Sequence, residues 1–359
     1  MLYRKYRPQT FDQVIGQEHV VKTLRGALLT GRIGHAYLFT GPRGTGKTTI
    51  ARVFAKALNC QNYHLAKNVN VPCDACDFCK AVKIGNSLDL VEIDAASNRG
   101  IDEIRNLKES ALVAAPGGKY KIFLIDEVHM LTKDAFNALL KLLEEPPAHV
   151  IFILATTEAH KILPTILSRV QRFDFKKLTP KEIAAKLKTI AKQEKINIDD
   201  ESLLAIAKAA DGALRDAEVS LTKIRTSVEN DKINIDHVNS ALGLIPAKYY
   251  PEFFSYLIAS NQAEALSFIS QIAGSGIDFD NFTKELLNYL RKMLIHKVSP
   301  ATLASFGDTP EKESINLAMQ VENPKLVKMI NLFTLARNEI KNSPIPQLPL
   351  ELAVLELTS

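Results

Sequence analysis

Residues 41–48 carry a glycine-rich motif suited to binding the phosphates of a nucleoside triphosphate. The segment Gly41-Pro-Arg-Gly-Thr-Gly-Lys-Thr48 follows an apolar run and precedes a stretch of helical periodicity, which disfavours a turn without function. Glycine lets backbone N–H groups converge on one point, where the next helix presents its unpaired N-terminal donors. Lys47 is expected to reach the β- and γ-phosphates, and the Thr48 hydroxyl to ligate Mg²⁺. The residues predicted to contact the nucleotide here are Gly41, Pro42, Arg43, Gly44, Thr45, Gly46, Lys47, Thr48 and Thr49.

Two acids, Asp126 and Glu127, end a second apolar run. Such a run predicts a central parallel strand covered on both faces, and its carboxyl end lies at the edge where ligands of open α/β sheets bind. Asp126 is suited to holding Mg²⁺ through water, and Glu127 to polarising the attacking water. One acid alone often marks only a strand exit, but a pair beside a phosphate loop favours chemistry. A later apolar run predicts another strand, and Thr157 lies beside the acids if the two strands are neighbours. His129 is expected to pack or relay rather than to bind a metal.

All four cysteines fall in one window, with twelve residues between the first pair and two between each later pair. Disulfides are disfavoured in a reducing cytosol, whereas this spacing lets four thiolates gather around a tetrahedral Zn²⁺. Four protein ligands leave no open position for water, so the metal is expected to be structural. Four unrelated free thiols, or a Cys₃His site that uses His64, are the alternatives. The predicted zinc ligands are Cys60, Cys73, Cys76 and Cys79.

The chain of 359 residues is too long for one compact core, and its patterns divide it into three predicted domains. Residues 1–177 alternate strands with helices and form an α/β nucleotide-binding domain, with the cysteine module at about 60–79. A linker-like segment that ends in Thr179 and Pro180, suited to an N-cap and a first helical position, introduces a small helical domain over 178–243. Residues 244–359 show apolar stripes at helical spacing.

Composition and charge are those of an ordinary globular protein. Hydrophobic residues make up 46% and charged residues 24%, and no apolar run approaches the length of a membrane span. The basic opening from Met1 to Pro8 lacks the apolar core of a signal peptide, which favours the cytoplasm. A net charge of +5 permits contact with nucleic acid without requiring it. The aromatic and basic residues next to Pro8 either anchor the terminus or form one wall of a base pocket.

A further set of short motifs runs through nearly the whole chain. It comprises Tyr6-Arg7-Pro8, Thr10-Phe11, Val14 to His19, His35 to Phe39, Glu92 to Ser97, Leu124 to Leu131, Asn137 to Pro147, Leu154 to Thr157, Ile166 to Arg169 and Leu214 to Ala217. Together with the phosphate loop and the cysteine module, these motifs resemble the γ/τ family of bacterial DNA polymerase III subunits, which are AAA+ clamp-loader ATPases. One departure is Val170, which stands where the family pattern Ser-Arg-Cys has its cysteine and affects packing rather than charge.

The resemblance implies an α/β fold of the AAA+ P-loop NTPase type, with a parallel sheet and a zinc-binding insertion. A small helical lid and an all-α collar, which joins five subunits, follow in the predicted second and third domains. ATP, Mg²⁺ and Zn²⁺ are the implied cofactors. Thr157 is implied to be the sensor-1 residue, Arg215 the sensor-2 arginine, and Arg169 the finger that reaches the nucleotide of a neighbour. The implied adenine-pocket residues are Arg7, Ile15, Leu214 and Arg215.

The implied function is that of the ATP-hydrolysing motor of the replicative clamp loader, which opens a sliding clamp and loads it onto primer-template DNA within the DNA polymerase III holoenzyme. The implied partners are copies of this chain, delta- and delta-prime-type subunits, the clamp and the DNA, with no membrane. Arg99, Arg105 and Lys161 are candidate phosphate contacts, with solvated surface charge as the alternative. A branch-migration ring motor is a second enzyme hypothesis, which the cysteine loop and the collar disfavour. A stator-type scaffold requires losses among the phosphate-loop and acid residues, and none is seen.

Overall fold

The computed structural model describes residues 1–65, 71–228, 232–300 and 312–358. The chain forms two compact units, Met1–Ile235 and Asp236–Ser359. The first unit contains both the sheet and the three helices that follow it. The predicted domain limits at 177 and 243 therefore remain predictions, because the structure groups residues on both sides of the first limit.

Five parallel strands form one sheet in the first unit, as the sequence predicted. They are β1 (Ala36–Thr40), β2 (Leu90–Asp94), β3 (Lys121–Asp126), β4 (Val150–Thr156) and β5 (Gln171–Asp174). Their order is β2-β3-β4-β1-β5, so β3 and β4 are interior neighbours. Every residue of β4 is buried, and so is all of β3 except its last residue, since helices cover both faces. All five carboxyl ends lie at one edge of the sheet.

Helices pack on both faces of this sheet. The helices up to the last strand are α1 (Leu2–Lys5), α2 (Glu18–Thr30), α3 (Lys47–Leu58), α4 (Gln61–Leu65), α5 (Asp77–Ile84), α6 (Ile101–Leu112), α7 (Lys133–Glu144) and α8 (Pro164–Leu167), with 3₁₀ turns at Phe11–Gln13, Val128–Met130 and Ala159–Lys161. Apolar residues of α2, α3 and α5 pack with Ile122 and Leu124 of β3, whereas those of α6 and α7 pack with Phe123 and Ile125. Successive side chains of a strand point to opposite faces, so β3 contributes to both cores.

Three helices follow the last strand within the first unit: α9 (Pro180–Gln193), α10 (Asp200–Ala209) and α11 (Leu214–Ser227). Helix α9 begins with a capping box whose N-cap is Thr179, the residue predicted for that position. The hydroxyl of Thr179 accepts from the Glu182 N–H, and the Glu182 carboxylate accepts from the Thr179 N–H at 2.7 Å. Pro180 occupies the first turn, where its missing N–H costs no hydrogen bond.

The second unit is helical throughout its described residues, as the sequence predicted. Its helices are α12 (Ile235–Leu242), which starts at the last residue of the first unit, α13 (Tyr249–Ile258), α14 (Gln262–Gly274), α15 (Phe279–Val298), α16 (Lys312–Met319), α17 (Asn323–Ile340) and α18 (Leu348–Thr358). Fully buried aromatic residues organise its core, and the rings of Phe253 and Phe282 lie 5.6 Å apart edge to face. Across the described parts of both units, we find no helix with the length and apolar content needed to cross a bilayer.

Candidate functional site

The loop between β1 and α3 has the backbone geometry of a phosphate cradle. Gly41 has φ of 146° and Gly44 has φ of 77°, values that favour glycine. A Cβ on Gly41 would lie 2.5 Å from the Phe175 carbonyl oxygen, and one on Gly44 would lie 2.7 Å from the Ala213 Cβ. The neighbouring segments therefore leave room only for glycine at both positions. The start of α11 at Ala213 thus touches the loop directly.

Lys47 and Thr48 begin α3 and point to the carboxyl edge of the sheet. The Lys47 Nζ donates to the carbonyl oxygens of Gly41 at 2.7 Å and Pro42 at 2.9 Å, which leaves its third N–H for a ligand. Burial lowers the pKa of Lys47, while the charges of the two strand-end acids oppose that shift. The Thr48 hydroxyl donates to the Asp126 Oδ2 at 2.8 Å. A hydroxyl and a carboxylate at this distance are oxygen ligands of the kind that Mg²⁺ takes in phosphate sites.

Glu127 is held by the end of the neighbouring strand. The N–H and the hydroxyl of Thr157 both donate to the Glu127 Oε2, at 3.2 and 2.9 Å. The prediction that Thr157 emerges beside the acids is therefore confirmed, because β3 and β4 are neighbours. Glu127 has φ of 48°, a left-handed conformation that costs a residue other than glycine some strain and is concentrated at functional sites.

His129 connects the acids to a second polar layer, and its side chain is only 5% exposed. Its Nδ1 lies 3.0 Å from the Thr156 hydroxyl and 3.4 Å from the Glu127 Oε2. Its Nε2 lies 3.3 Å from the Glu158 Oε1. These contacts agree with the predicted packing or relay role.

A cleft opens beside the phosphate loop and is lined by the loop, the N-terminal segment, the two acids and helix α11. The lining residues are Tyr3, Arg7, Pro8, Gln13, Val14, Ile15, Arg43, Gly44, Thr45, Gly46, Lys47, Thr48, Thr49, Ile50, Asp126, Glu127, Leu178, Leu214, Arg215 and Glu218. Of the predicted nucleotide contacts, Gly41 and Pro42 do not line the cleft but accept the hydrogen bonds of Lys47. Arg7, Ile15 and Leu214 do line it, so the structure brings the predicted base pocket together with the phosphate loop.

Cationic groups gather around this cleft. The Arg215 guanidinium lies 4.9 Å from the centre of the Tyr3 ring, a cation–π contact between α11 and α1. Burial lowers the pKa of Arg7, and repulsion from Arg52 adds to the effect. Glu218 is the one cleft acid that the sequence argument missed. The sequence feature that could have identified Glu218 is its position in the apolar stripe of α11, beside Ala217 and Leu221. A buried acid is unusual in such a stripe.

Arg169 lies away from the cleft. It precedes β5, and with Glu144 it lines a second groove near the start of β1, at the amino edge of the sheet. One Arg169 amino group pairs with the Glu144 Oε1 at 2.8 Å, and the other donates to the Thr165 carbonyl at 2.6 Å. The structure therefore separates Arg169 from its own phosphate loop. A trans role requires such a separation, and the role itself stays a prediction.

The three candidate DNA contacts have local partners. The Arg99 Nε donates to the Ala96 carbonyl, Arg105 pairs with Asp102 at 2.9 Å, and Lys161 pairs with Glu158 at 2.8 Å. Exposed pairs of this kind contribute little to stability. Such arginine and lysine side chains remain available to a phosphate backbone, and their contact with DNA stays a prediction.

The four cysteines come together as predicted. All four Sγ atoms lie within 4.8 Å of one another, and no disulfide joins them. Tetrahedral Zn²⁺ with Zn–S bonds of about 2.3 Å needs sulfurs about 3.8 Å apart, so the donor set fits this ion. Burial raises the pKa of the Cys60 and Cys79 thiols, so a cation is needed for four thiolates to share the space. The alternative ligand His64 has its side chain outside the part of the chain that the structure describes.

A buried ion pair links the cysteine loop to the phosphate-loop helix. Lys56 of α3 has a side chain only 2% exposed, and its Nζ lies 2.5 Å from the Asp74 Oδ1 between the second and third cysteines. The same Nζ donates to the backbone and side-chain oxygens of Gln9, at 3.2 and 3.1 Å. The cysteine loop, α3 and the N-terminal segment are thus joined at one buried charge, which the sequence argument did not identify.

Three family models match successive parts of the chain. Residues 16–179 match the model described as DNA polymerase III, delta subunit. Residues 182–223 match the DNA polymerase III clamp loader subunit, ATPase lid domain, and residues 233–359 match DNA polymerase III subunits gamma and tau domain III.

Several similar proteins cover nearly the whole chain. DNA polymerase III subunit tau of Bacillus subtilis is 41% identical over 357 residues, which are 99% of this chain and 62% of that protein. The tau subunit of Escherichia coli K12 is 38% identical over 99% of this chain and 54% of its own length. DNA polymerase III subunit gamma of Buchnera aphidicola is 36% identical over 100% of this chain and 98% of its own length. The chain thus spans little more than half of the tau relatives and nearly all of the gamma relative.

Solved structures resemble the fold. The RuvB Holliday junction branch migration motor of Thermotoga maritima superposes with a TM-score of 0.50 and 22% identity, covering 70% of this chain and 79% of that one. Identity this low shows a shared fold alone.

Proposed function

Because the chain belongs to the gamma/tau subunit family of DNA polymerase III, we propose that it is an ATP-hydrolysing motor subunit of a clamp loader. The observation that carries the proposal is the meeting of Lys47, Thr48, Asp126, Glu127 and Thr157 at one sheet edge, within hydrogen-bonding distance of their partners. These groups serve phosphoryl transfer, which depends on positioning and charge stabilisation.

Each group has a part in the proposed reaction. Lys47 would contact the β- and γ-phosphates, and Thr48 with Asp126 would hold Mg²⁺, directly or through water. A bound Mg²⁺ would supply positive charge beside the phosphates. Glu127 orients the attacking water, and its double hydrogen bond to Thr157 fixes the carboxylate. Because no part of this set is missing, a scaffold without catalysis is the weaker hypothesis.

Assembly supplies the rest of the site in this proposal. Arg169, at the edge opposite its own phosphate loop, reaches the nucleotide of a neighbouring subunit. Arg215 on α11 couples the nucleotide bound to its own subunit to the helical lid. The helical second unit joins subunits as a collar. Large apolar side chains on its last two helices support an oligomeric contact, since Leu335 and Leu352 are more than half exposed.

The partners follow from the same proposal. They are copies of this chain, delta- and delta-prime-type subunits, a sliding clamp and primer-template DNA, in the cytoplasm. Arg99, Arg105 and Lys161 contact DNA phosphates. Zn²⁺ at the four cysteines is structural, because four thiolates leave no position for water. Through Asp74 and Lys56 it holds the phosphate-loop helix to the N-terminal segment.

Two variants separate binding from turnover. Lys47→Ala is expected to abolish ATP binding, because the lysine contacts ground-state phosphates, whereas Glu127→Gln retains binding and stops hydrolysis. Glu109→Gln, an exposed acid on α6, is the matched control and keeps both. Labelled ATP binding and phosphate release are measured with partner subunits, clamp and primed DNA present. ATP binding by Lys47→Ala equal to that of the wild type contradicts the proposal.

A further inference from the structure

The nucleotide cleft contains a buried acid that the proposed hydrolysis does not use. Glu218 of α11 is 5% exposed and lines the cleft. Among the described residues, its carboxyl oxygens have no hydrogen-bond partner, while its backbone carbonyl accepts from the Thr222 hydroxyl at 2.8 Å. Polar groups this buried are normally hydrogen-bonded. Because Glu218 lines the cleft, water or a bound molecule can be the partner of its carboxyl group.

The position of Glu218 on α11 sets its distance from the phosphates. The helix begins next to the loop, where Ala213 approaches Gly44. Glu218 is four positions after Leu214, which is about 6 Å along a helix and just over one turn. Arg215 and Glu218 are three residues apart and share a helix face. The arginine thus lies at the phosphate end of the cleft, and the acid lies one turn farther away.

The surroundings of Glu218 suit a base rather than a phosphate. Apolar residues of the N-terminal segment, the linker and α11 line the cleft together with Glu218; they are Pro8, Val14, Ile15, Leu178 and Leu214. A mostly apolar space with a small number of polar groups is typical of sites that bind a small organic ligand. A carboxyl here repels an anion and seeks a hydrogen-bond donor.

Resting on the proposed function, we propose that Glu218 is a specificity-determining residue whose carboxyl hydrogen-bonds the exocyclic 6-amino group of adenine. Burial raises the pKa of Glu218 to about 7, against the opposing charges of Lys186 and Arg7. A substantial fraction of this carboxyl therefore carries a proton near neutral pH. A protonated carboxyl has one donor and one acceptor, which match the ring nitrogen and the amine side by side on the adenine edge.

The test compares three nucleotides on three proteins. ATP, dATP and purine riboside triphosphate, which lacks the 6-amino group, are titrated calorimetrically with Mg²⁺ into the full chain, Glu218→Leu and Glu218→Gln. The wild type is expected to prefer ATP over the 6-H analogue by about 10- to 100-fold, the effect of one buried hydrogen bond. Glu218→Leu brings that ratio near 1, whereas Glu218→Gln retains most of it because its amide still accepts. Asp216→Asn, an exposed acid on the same helix, is the control and leaves the ratio unchanged.

The outcomes separate this inference from the function on which it rests. Wild type that binds no ATP overturns both. Wild type that binds ATP and the 6-H analogue equally overturns the inference alone, even if Glu218→Leu fails to fold. A change in the ratio of ATP to dATP, with the 6-H ratio intact, assigns Glu218 to the sugar and overturns the base contact. Equal weakening of all three nucleotides in Glu218→Leu indicates a structural role and also overturns it.

Discussion

Replacing Glu218 by glutamine should stabilise the protein at alkaline pH and not at acidic pH. Burial raises the pKa of this carboxyl from an ordinary 4.5 to about 7 in the folded chain. Below about pH 4.5 the group is protonated in both the folded and the unfolded state, so its ionisation does not change the free energy of unfolding. Between about pH 4.5 and 7 only the unfolded state ionises, and the free energy of unfolding falls as pH rises. Above about pH 7 the whole penalty is present.

The penalty follows from the size of the pKa change. One pKa unit corresponds to about 1.4 kcal/mol, so ionised Glu218 costs the folded state about 3 kcal/mol at pH 8. Glutamine is neutral at every pH and avoids this cost. The stability difference between Glu218→Gln and the wild type should therefore change by about 3 kcal/mol from pH 4.5 to pH 8, in favour of the variant. The positive charges of Lys186 and Arg7 act on the carboxyl group in the opposite direction to burial.

Urea unfolding followed by circular dichroism measures this difference, since the chain has no tryptophan to report fluorescence. Titration of every other group occurs in both proteins and cancels when they are compared. Asp216→Asn serves as the control and should give a difference that does not vary with pH. The free energies of unfolding of Glu218→Gln and the wild type are compared from pH 4.5 to 8. A difference between them that does not vary with pH would refute the argument that Glu218 is buried without a partner in the protein.

Three further results are expected. Asp74→Asn should lower the free energy of unfolding by about 2 kcal/mol, because buried Lys56 loses its counter-charge and asparagine tolerates the left-handed backbone at this position. Asp77→Asn, an exposed acid at the first position of α5, should change the free energy of unfolding by less than about 0.5 kcal/mol. Metal analysis should return about one zinc per chain in each protein. Arg169→Ala should keep the ATP affinity of the isolated chain but slow hydrolysis in the assembled complex by roughly 10³-fold; equal slowing in the isolated chain would contradict this. A chain ending at Gly243 should fold and bind ATP without assembling, and sedimentation in full-size complexes would argue against it.

The sequence predicted the parts of the fold that depend on local pattern. The interior strands read as apolar runs because helices cover both of their faces, and the glycine loop could be recognised because each positive φ demands its glycine. The meeting of Thr157 with Glu127 followed from a single assumption, that two apolar runs form neighbouring strands. The cysteine cluster followed from spacing, since Cys73, Cys76 and Cys79 are three positions apart along the chain.

Long-range pairs between unlike segments could not be predicted in this way. Lys56 reads as a surface residue of α3, yet Asp74 and Gln9 converge on it from two other parts of the chain. Glu218 lies in an apolar stripe, but the sequence gives no sign that the stripe faces a cleft at that point. The hydrogen-bond and ion-pair partners of Arg99, Arg105 and Lys161 depend on side-chain rotamers. The periodicity of the sequence does not predict rotamers.

The position of Arg169 supports dependence of hydrolysis on a neighbour. The phosphate loop follows the end of β1, whereas Arg169 lies near the start of that strand. Five strand residues span about 16 Å, farther than an arginine side chain reaches. In its own subunit Arg169 pairs with Glu144, and the two side chains are 34% and 47% exposed. An exposed pair contributes at most about 1 kcal/mol, so a phosphate from the next subunit can displace Glu144 at little cost. Under the proposed trans role, the pair with Glu144 orients the guanidinium but does not prevent it from moving to the phosphate. Hydrolysis then requires assembly.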